Sequence, residues 1–161
     1  MARAPRHWLL KADPEEFGVQ DLLASPGAAT SWDGIRNYQA RNFLREMAVG
    51  DLALVYHSNA EPSGVVGIAE VVAAAQADPT QFDRSSEYHE PRATQQAPIW
   101  LSVGVKAVRA LPRTVSLEEL RTSPECARMA VCRRGNRLSV TPVEPGEWRA
   151  VLALSKQKSA T

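Results

Sequence analysis

The stretch from Trp32 to Asn59 constrains the fold of this chain most strongly. Apolar residues three and four apart over 38–47 predict a helix with one buried stripe, formed by Ala40, Phe43, Leu44 and Met47. Gly50 and Asp51 end that helix and begin a strand over 52–58 that is apolar on both faces. A strand of that kind is covered on both faces. The sequence therefore predicts a sheet with this strand near its centre.

The remaining segments predict an α+β domain. The expected strands cover residues 7–12, 52–58, 65–72, 99–109 and 137–140, and the expected helices cover 15–24, 38–47, a segment beginning at Ser116, and 145–154. The run from Ser116 to Glu119 matches a capping box. Residues 76–98 contain three prolines and little periodicity, which predicts a long ordered loop of the kind that often carries function.

Composition indicates a globular protein with one core. A chain of 161 residues, 44% apolar, is most simply a single domain over 1–161, with short flexible ends at about 1–5 and 156–161. No apolar run reaches the roughly 18 residues of a membrane span, and no secretion signal is recognisable. Cys126 and Cys132 suit a reducing compartment and lack zinc-site spacing. We expect no metal, no cofactor, and a cytoplasmic location, or a nuclear one in a eukaryote.

Charge is unevenly distributed along the chain. The net charge is only +1, which argues against binding to nucleic acid through bulk charge. The segment from Arg121 to Val140, however, contains five arginines and one glutamate, whereas the segment from Glu61 to Glu90 contains six acidic residues and one arginine. One surface is therefore expected to attract phosphate and another to repel it.

Trp32 is the first candidate binding residue. It lies between Ser31 and Asp33-Gly34, a polar run that predicts a turn and leaves the indole available to stack a base. The alternative is a loop tryptophan folded back onto the core.

Side chains able to read a base edge follow it, namely Asn37, Gln39, Ser58 and Asn59, with Tyr56 as an aromatic neighbour. Asn37 also suits a helix N-cap, Ser58 and Asn59 suit a turn, and Tyr56 suits the core.

Two arginine groups are candidates for phosphate contact. Arg41 and Arg45 share one face of the predicted helix with Asn37, and no acid lies between them on that face. Arg133, Arg134 and Arg137 surround Gly135 in a loop that suits a phosphate backbone. A solvated helix face is the alternative for the first group.

The amino-acid sequence of three segments, 32–59, 65–71 and 137–143, resembles that of the EVE domain, a PUA-like module related to the YTH readers. The resemblance implies a single EVE domain with a PUA-like curved sheet or barrel of about five or six strands and short helices packed around it. It also implies an aromatic-lined pocket, with Trp32 as one wall and Tyr88, in the long loop, as a second.

The resemblance implies a non-catalytic module that binds a modified nucleobase, such as a C5-modified cytosine in DNA. The alternatives are a PUA-like RNA-binding module acting in RNA modification or metabolism, and a small hydrolase of nucleotide derivatives that depends on His57 or Asp33. No catalytic motif favours an enzyme, and Ser58 and His57 are expected on opposite faces of one strand. The expected partners are a modified DNA or RNA base and an unidentified effector protein, with no membrane.

Overall fold

The computed structural model of the protein describes residues 4–15, 18–24 and 29–157. Its strands are β1 (His7–Ala12), β2 (Thr30–Trp32), β3 (Leu52–His57), β4 (Gly64–Ala77), β5 (Leu101–Ser116) and β6 (Val140–Val143). Its helices are α1 (Val19–Leu23), α2 (Tyr38–Glu46), α3 (Leu117–Thr122) and α4 (Pro145–Lys156). Short 3₁₀ turns occupy Pro79–Phe82 and Ala130–Cys132.

The six strands form one mixed sheet in the order β2-β5-β4-β3-β1-β6. β1 pairs with β3 in parallel, and the other neighbours are antiparallel. β3 lies inside the sheet, as its two apolar faces predict. β2 and β6 are the edges and do not pair with each other within the described residues, so the sheet is open. The predicted α+β fold with about six strands is therefore confirmed, as an open sheet and not a closed barrel.

Helices cover both faces of the sheet. Alternate residues of β1 supply the two cores, with Trp8 and Leu10 on one face and Leu9 on the other. The first core includes Leu22 of α1 and Leu44 of α2. The second core takes residues from the other two helices, Leu120 of α3 and Trp148 and Val151 of α4.

Local capping explains where two helices begin. The Asn37 side chain accepts a hydrogen bond from the Ala40 amide at 3.0 Å, so α2 starts at Tyr38. The predicted capping box of α3 is confirmed: Ser116 Oγ accepts from the Glu119 amide at 3.1 Å, and the Glu119 carboxylate accepts from the Ser116 amide at 3.2 Å.

The expected turn at Trp32 is wrong. Residues Thr30–Trp32 form the edge strand β2, which pairs with β5 through Trp32 opposite Val103. The indole is 7% exposed and belongs to the first core. The polar neighbours that suggested a turn are the outward residue of a short edge strand and the loop that follows it.

Other segment boundaries also differ. The strand expected over 137–140 lies instead at Val140–Val143, because an edge strand tolerates Pro142. The helix expected over 15–24 is the shorter α1, and Phe17 lies outside the described residues. So do 1–3 and 158–161, which make up most of the predicted flexible ends. Among the described residues, no helix is both long enough and apolar enough to cross a membrane.

Candidate binding pocket

A cavity of about 530 Å³ opens where β1 ends and β2 leads into α2. Trp32 and Tyr88 are its aromatic lining residues. The charged residues that line it are Lys11, Asp13, Asp33 and Glu87, and two serines, Ser31 and Ser139, also line it. Small-molecule pockets occupy about 300–1,000 Å³, so the cavity has room for one planar heterocycle.

Strand pairing brings distant parts of the chain to this cavity. The parallel alignment of β1 with β3 carries β1 to its end at Ala12, beside His57. The Lys11 amide donates to the Ser139 carbonyl at 2.8 Å and brings the segment before β6 alongside. Residues far apart in sequence therefore share one rim because the sheet holds their strand ends together.

The Tyr88 ring packs directly against the backbone of Gly34. A Cβ built on Gly34 would lie 3.0 Å from Cζ of Tyr88, closer than ordinary van der Waals contact. Gly34 also has a φ of +79°, a backbone conformation that residues with a side chain rarely adopt. Glycine is required here for two reasons, and its absent side chain lets Tyr88 close over the loop that follows Trp32.

Acidic residues outnumber basic residues in the lining of the cavity. Burial lowers the pKa of Lys11. Burial, followed by repulsion from Asp78, raises the pKa of Asp33. Three acidic residues, Asp13, Asp33 and Glu87, line the cavity with a single lysine, so phosphate is disfavoured there and a ligand edge with N–H donors is favoured.

Two of the predicted ligand residues lie just behind the cavity wall. Ser58 Oγ donates to the Ala12 carbonyl at 3.3 Å, and Asn59 Nδ2 donates to Asp13 Oδ2 at 3.2 Å. Asn59 has a φ of +52°, consistent with the predicted turn. Their partners Ala12 and Asp13 line the cavity, so Ser58 and Asn59 contact the lining and not the cavity itself.

The structure places the other predicted ligand residues elsewhere. Asn37 caps α2. Gln39 lies at a second groove of about 480 Å³, together with Arg133 and Arg134. Tyr56 is buried in the second core, so it is not grouped with Trp32. Of the seven predicted side chains, only Trp32 and Tyr88 line the first cavity.

The five arginines predicted to contact phosphate differ in exposure. Arg45, Arg133, Arg134 and Arg137 are exposed. Arg41 is half-buried and donates to the Ile99 carbonyl at 3.1 Å and to Asn42 Oδ1. The second groove adjoins the first cavity through residues 136–139, because Lys11 Nζ donates to the Asn136 carbonyl at 3.5 Å while Ser139 lines the cavity.

The EVE domain model matches residues 6–154 of the chain. This protein belongs to the EVE domain family. The family predicted from the sequence is thereby confirmed.

Human thymocyte nuclear protein 1 is 37% identical over 169 residues, which cover 94% of this chain and 75% of the human one. Two solved structures have the same fold. One, from Leishmania major, has a TM-score of 0.90 at 40% identity and covers 97% of this chain and 98% of its own. The other is the human protein in complex with 5-methylcytosine-containing DNA, with a TM-score of 0.89, 36% identity, and coverage of 96% and 99%.

Sequence reasoning missed the polar lining of this EVE domain's cavity. Lys11 lies near the end of a strand that the sequence did predict and Asp13 directly follows it, and polar residues at strand ends are a usual sign of a site. Asp33 follows Trp32 directly and was considered only as part of a hydrolase. The Ser58 hydroxyl is directed at the Ala12 carbonyl, which does not favour that hydrolase. Among the described residues, no group of His, Cys, Asp or Glu is arranged to hold a metal ion.

Proposed function

We propose that this EVE domain binds a C5-modified cytosine in DNA, without catalysis, by accepting the extruded base into the cavity beside Trp32 and Tyr88. The observation that carries the proposal is the cavity itself, in which two aromatic side chains accompany several hydrogen-bond acceptors. The related human protein in complex with 5-methylcytosine-containing DNA supports the same ligand class.

Stacking on aromatic side chains alone does not offset the free-energy cost of extruding a base. Extruding a base from a duplex costs a few kcal/mol. Stacking of one base returns about 1–3 kcal/mol. Burying the C5 methyl group adds only about 0.8 kcal/mol. Hydrogen bonds to the base edge and contacts with flanking phosphates supply the remainder.

The acidic lining suits the edge of cytosine. Its exocyclic amino group donates hydrogen bonds, and carboxylates are natural acceptors for it. Asp13 and Asp33 are the candidate acceptors, and the hydroxyl group of Ser139 either donates or accepts. Thymine carries the same methyl group but an oxygen in place of the amino group, so this lining disfavours it.

Phosphate binding belongs outside the cavity. The exposed Arg133, Arg134 and Arg137 border or follow the second groove, one short segment away from the acidic lining. Arg45 offers a further exposed positive charge on α2, next to Arg41. We propose that these arginines hold the backbone on either side of the extruded base. The cytoplasmic or nuclear location and the effector protein stay predictions.

Binding of fluorescent oligonucleotides at fixed salt tests the proposal. The panel contains single- and double-stranded DNA and RNA, each unmodified, with 5-methylcytosine and with N6-methyladenine. We expect the tightest binding for DNA containing 5-methylcytosine. A matched preference for RNA would assign the domain to RNA metabolism instead, and equal binding to modified and unmodified DNA would overturn the modified-base proposal.

Two tryptophans provide a matched pair of variants. Trp32 and Trp148 are each 7% exposed, and they lie in cores on opposite faces of the sheet. Both Trp→Phe substitutions remove a similar amount of buried ring. Trp32→Phe is expected to weaken binding to 5-methylcytosine DNA, whereas Trp148→Phe leaves it unchanged. Equal binding by the two variants would remove Trp32 from the site.

A further inference from the structure

Arg36 lies just after the cavity-lining loop and uses all of its hydrogen-bond donors. Its Nε and one terminal nitrogen donate to the Tyr88 carbonyl at 3.1 and 2.6 Å. The same terminal nitrogen donates to Thr80 Oγ1 at 3.0 Å. The other donates to Asp78 Oδ2 at 3.0 Å and to the Ile35 carbonyl at 2.9 Å. Arginine has five N–H groups in a rigid plane, and every one has an acceptor here.

Asp78 is the buried acidic partner of Arg36, and the two residues with their hydrogen-bond partners form the Arg36 cluster. Its side chain is 0% exposed, while that of Arg36 is 21% exposed. Asp78 Oδ2 also accepts from the Gly34 amide at 2.8 Å, and Oδ1 accepts from the amide and hydroxyl of Thr80 at 2.8 and 2.6 Å. One ion pair therefore fixes the loop after β2 and the loop that begins at residue 78.

These contacts converge on Tyr88. Its carbonyl accepts two bonds from Arg36, and its ring lies 5.4 Å from the guanidinium carbon and against Gly34. The guanidinium has a second aromatic neighbour, since the ring centroid of Trp100 lies 5.5 Å from its central carbon. Tyr88 thus has little freedom to move while Arg36 keeps its five hydrogen bonds.

We propose that Arg36 and Asp78 are positioning residues, which hold Tyr88 against Gly34 and so fix the width of the cavity. Neither residue lines the cavity, so neither contacts the ligand. The effect on base selectivity rests on the proposed function. The effect on the position of Tyr88 does not.

Arg113 provides a control of the same chemistry. It donates to both carboxylate oxygens of Glu119 at 2.8 and 2.7 Å, and to the carbonyls of Thr114, Leu154 and Gln157. Its side chain is 19% exposed, close to that of Arg36. Arg36→Lys and Arg113→Lys each keep the positive charge but lose the planar five-donor geometry.

The position of Tyr88 is measured without ligand. The chain has three tyrosines, so protein labelled with 3-fluorotyrosine gives three ¹⁹F signals, which Tyr→Phe variants assign. In Arg36→Lys, the Tyr88 signal is expected to shift or broaden while the Tyr56 signal stays fixed. In Arg113→Lys, the Tyr88 signal stays fixed. An unmoved Tyr88 signal in Arg36→Lys overturns the proposal.

A double-mutant cycle then connects position with binding. We expect Arg36→Lys to weaken binding to 5-methylcytosine DNA about tenfold, within the range of side-chain coupling energies, and to narrow the preference over unmodified DNA. In a Tyr88→Ala background the same substitution is expected to add little. Full additivity would overturn the claim that Arg36 acts through Tyr88. If wild-type protein binds no oligonucleotide, the proposed function fails, and the ¹⁹F result still decides the position of Tyr88.

Discussion

Two arginine clusters of the same chemistry stabilise different kinds of structure in this molecule. The Arg113 cluster joins β5 to the capping box of α3 and to the last carbonyls of α4, so it connects regular elements. The Arg36 cluster joins two loops, and one of them carries Tyr88. The carboxylate of the first cluster is partly exposed and that of the second is fully buried.

The difference shows how a loop obtains a defined shape. A residue in a helix or strand is held by the backbone hydrogen bonds of its element. Tyr88 lies in neither, so its position depends on side chains that satisfy its carbonyl and pack on its ring. At the cavity that rigidity comes from an ion pair with a fully buried carboxylate and with an acceptor for every arginine donor, whereas the Arg113 cluster reinforces elements that already have their own hydrogen bonds.

The two clusters are expected to differ most in the unfolding free energy that is lost when the carboxylate of each one is removed. Asp78→Ala leaves Arg36, the Gly34 amide and Thr80 without their buried acceptor, which costs about 3–5 kcal/mol of unfolding free energy. Glu119→Ala removes a partly exposed pair and half of a capping box, which costs about 1 kcal/mol. Chemical denaturation measures both. Equal losses would show that burial does not distinguish the two clusters.

A second contrast uses two glycines with almost the same φ angle. Gly34 has a φ of +79° with Tyr88 at 3.0 Å, whereas Gly135 has a φ of +78° and open space around its absent Cβ. Alanine at either position costs about 1–2 kcal/mol of backbone strain. Only Gly34→Ala also pushes Tyr88 away, so it alone is expected to weaken binding to 5-methylcytosine DNA. Parallel binding curves for the two variants would contradict this.

The smallest effect concerns Asp33, an acidic neighbour of the Arg36 cluster. Burial and Asp78 raise the pKa of Asp33 above its usual value of 3.8, so its charged form destabilises the folded state at neutral pH. Asp33→Asn is expected to stabilise the fold at pH 7, by less than about 0.5 kcal/mol because the site is solvent-accessible. The gain should shrink as pH falls through the folded pKa, where wild-type Asp33 takes up its proton. Thermal unfolding from pH 7 to pH 4 measures the difference, and a gain that grows with acidity would contradict the assignment.

Much of the fold follows from sequence periodicity. The apolar stripe of α2, the two apolar faces of β3 and the capping box of α3 all appear in the structure at the expected places. β2 was missed because three residues on a sheet edge are too short to show a period, and their pairing with β5 is purely tertiary.

The site was less predictable than the fold. Trp32, predicted from its polar neighbours, and Tyr88, predicted from the resemblance to the EVE domain, both line the cavity, whereas Ser58 and Asn59 contact lining residues and not the cavity. Sequence proximity to Trp32 grouped Gln39 and Tyr56 with it, whereas helix and strand geometry sends them to a separate groove and the opposite core. The Arg36–Asp78 pair joins positions 42 residues apart, and no local pattern indicates such a contact.

A crystal structure of this chain with a short DNA duplex that contains one 5-methylcytosine tests the central claim most directly. The account predicts that the modified base has left the duplex and lies in the cavity beside Trp32 and Tyr88, with its amino group near a carboxylate of the lining. A 5-methylcytosine that stays stacked in the duplex, or one that binds at the groove beside Arg133 and Arg134, would contradict it.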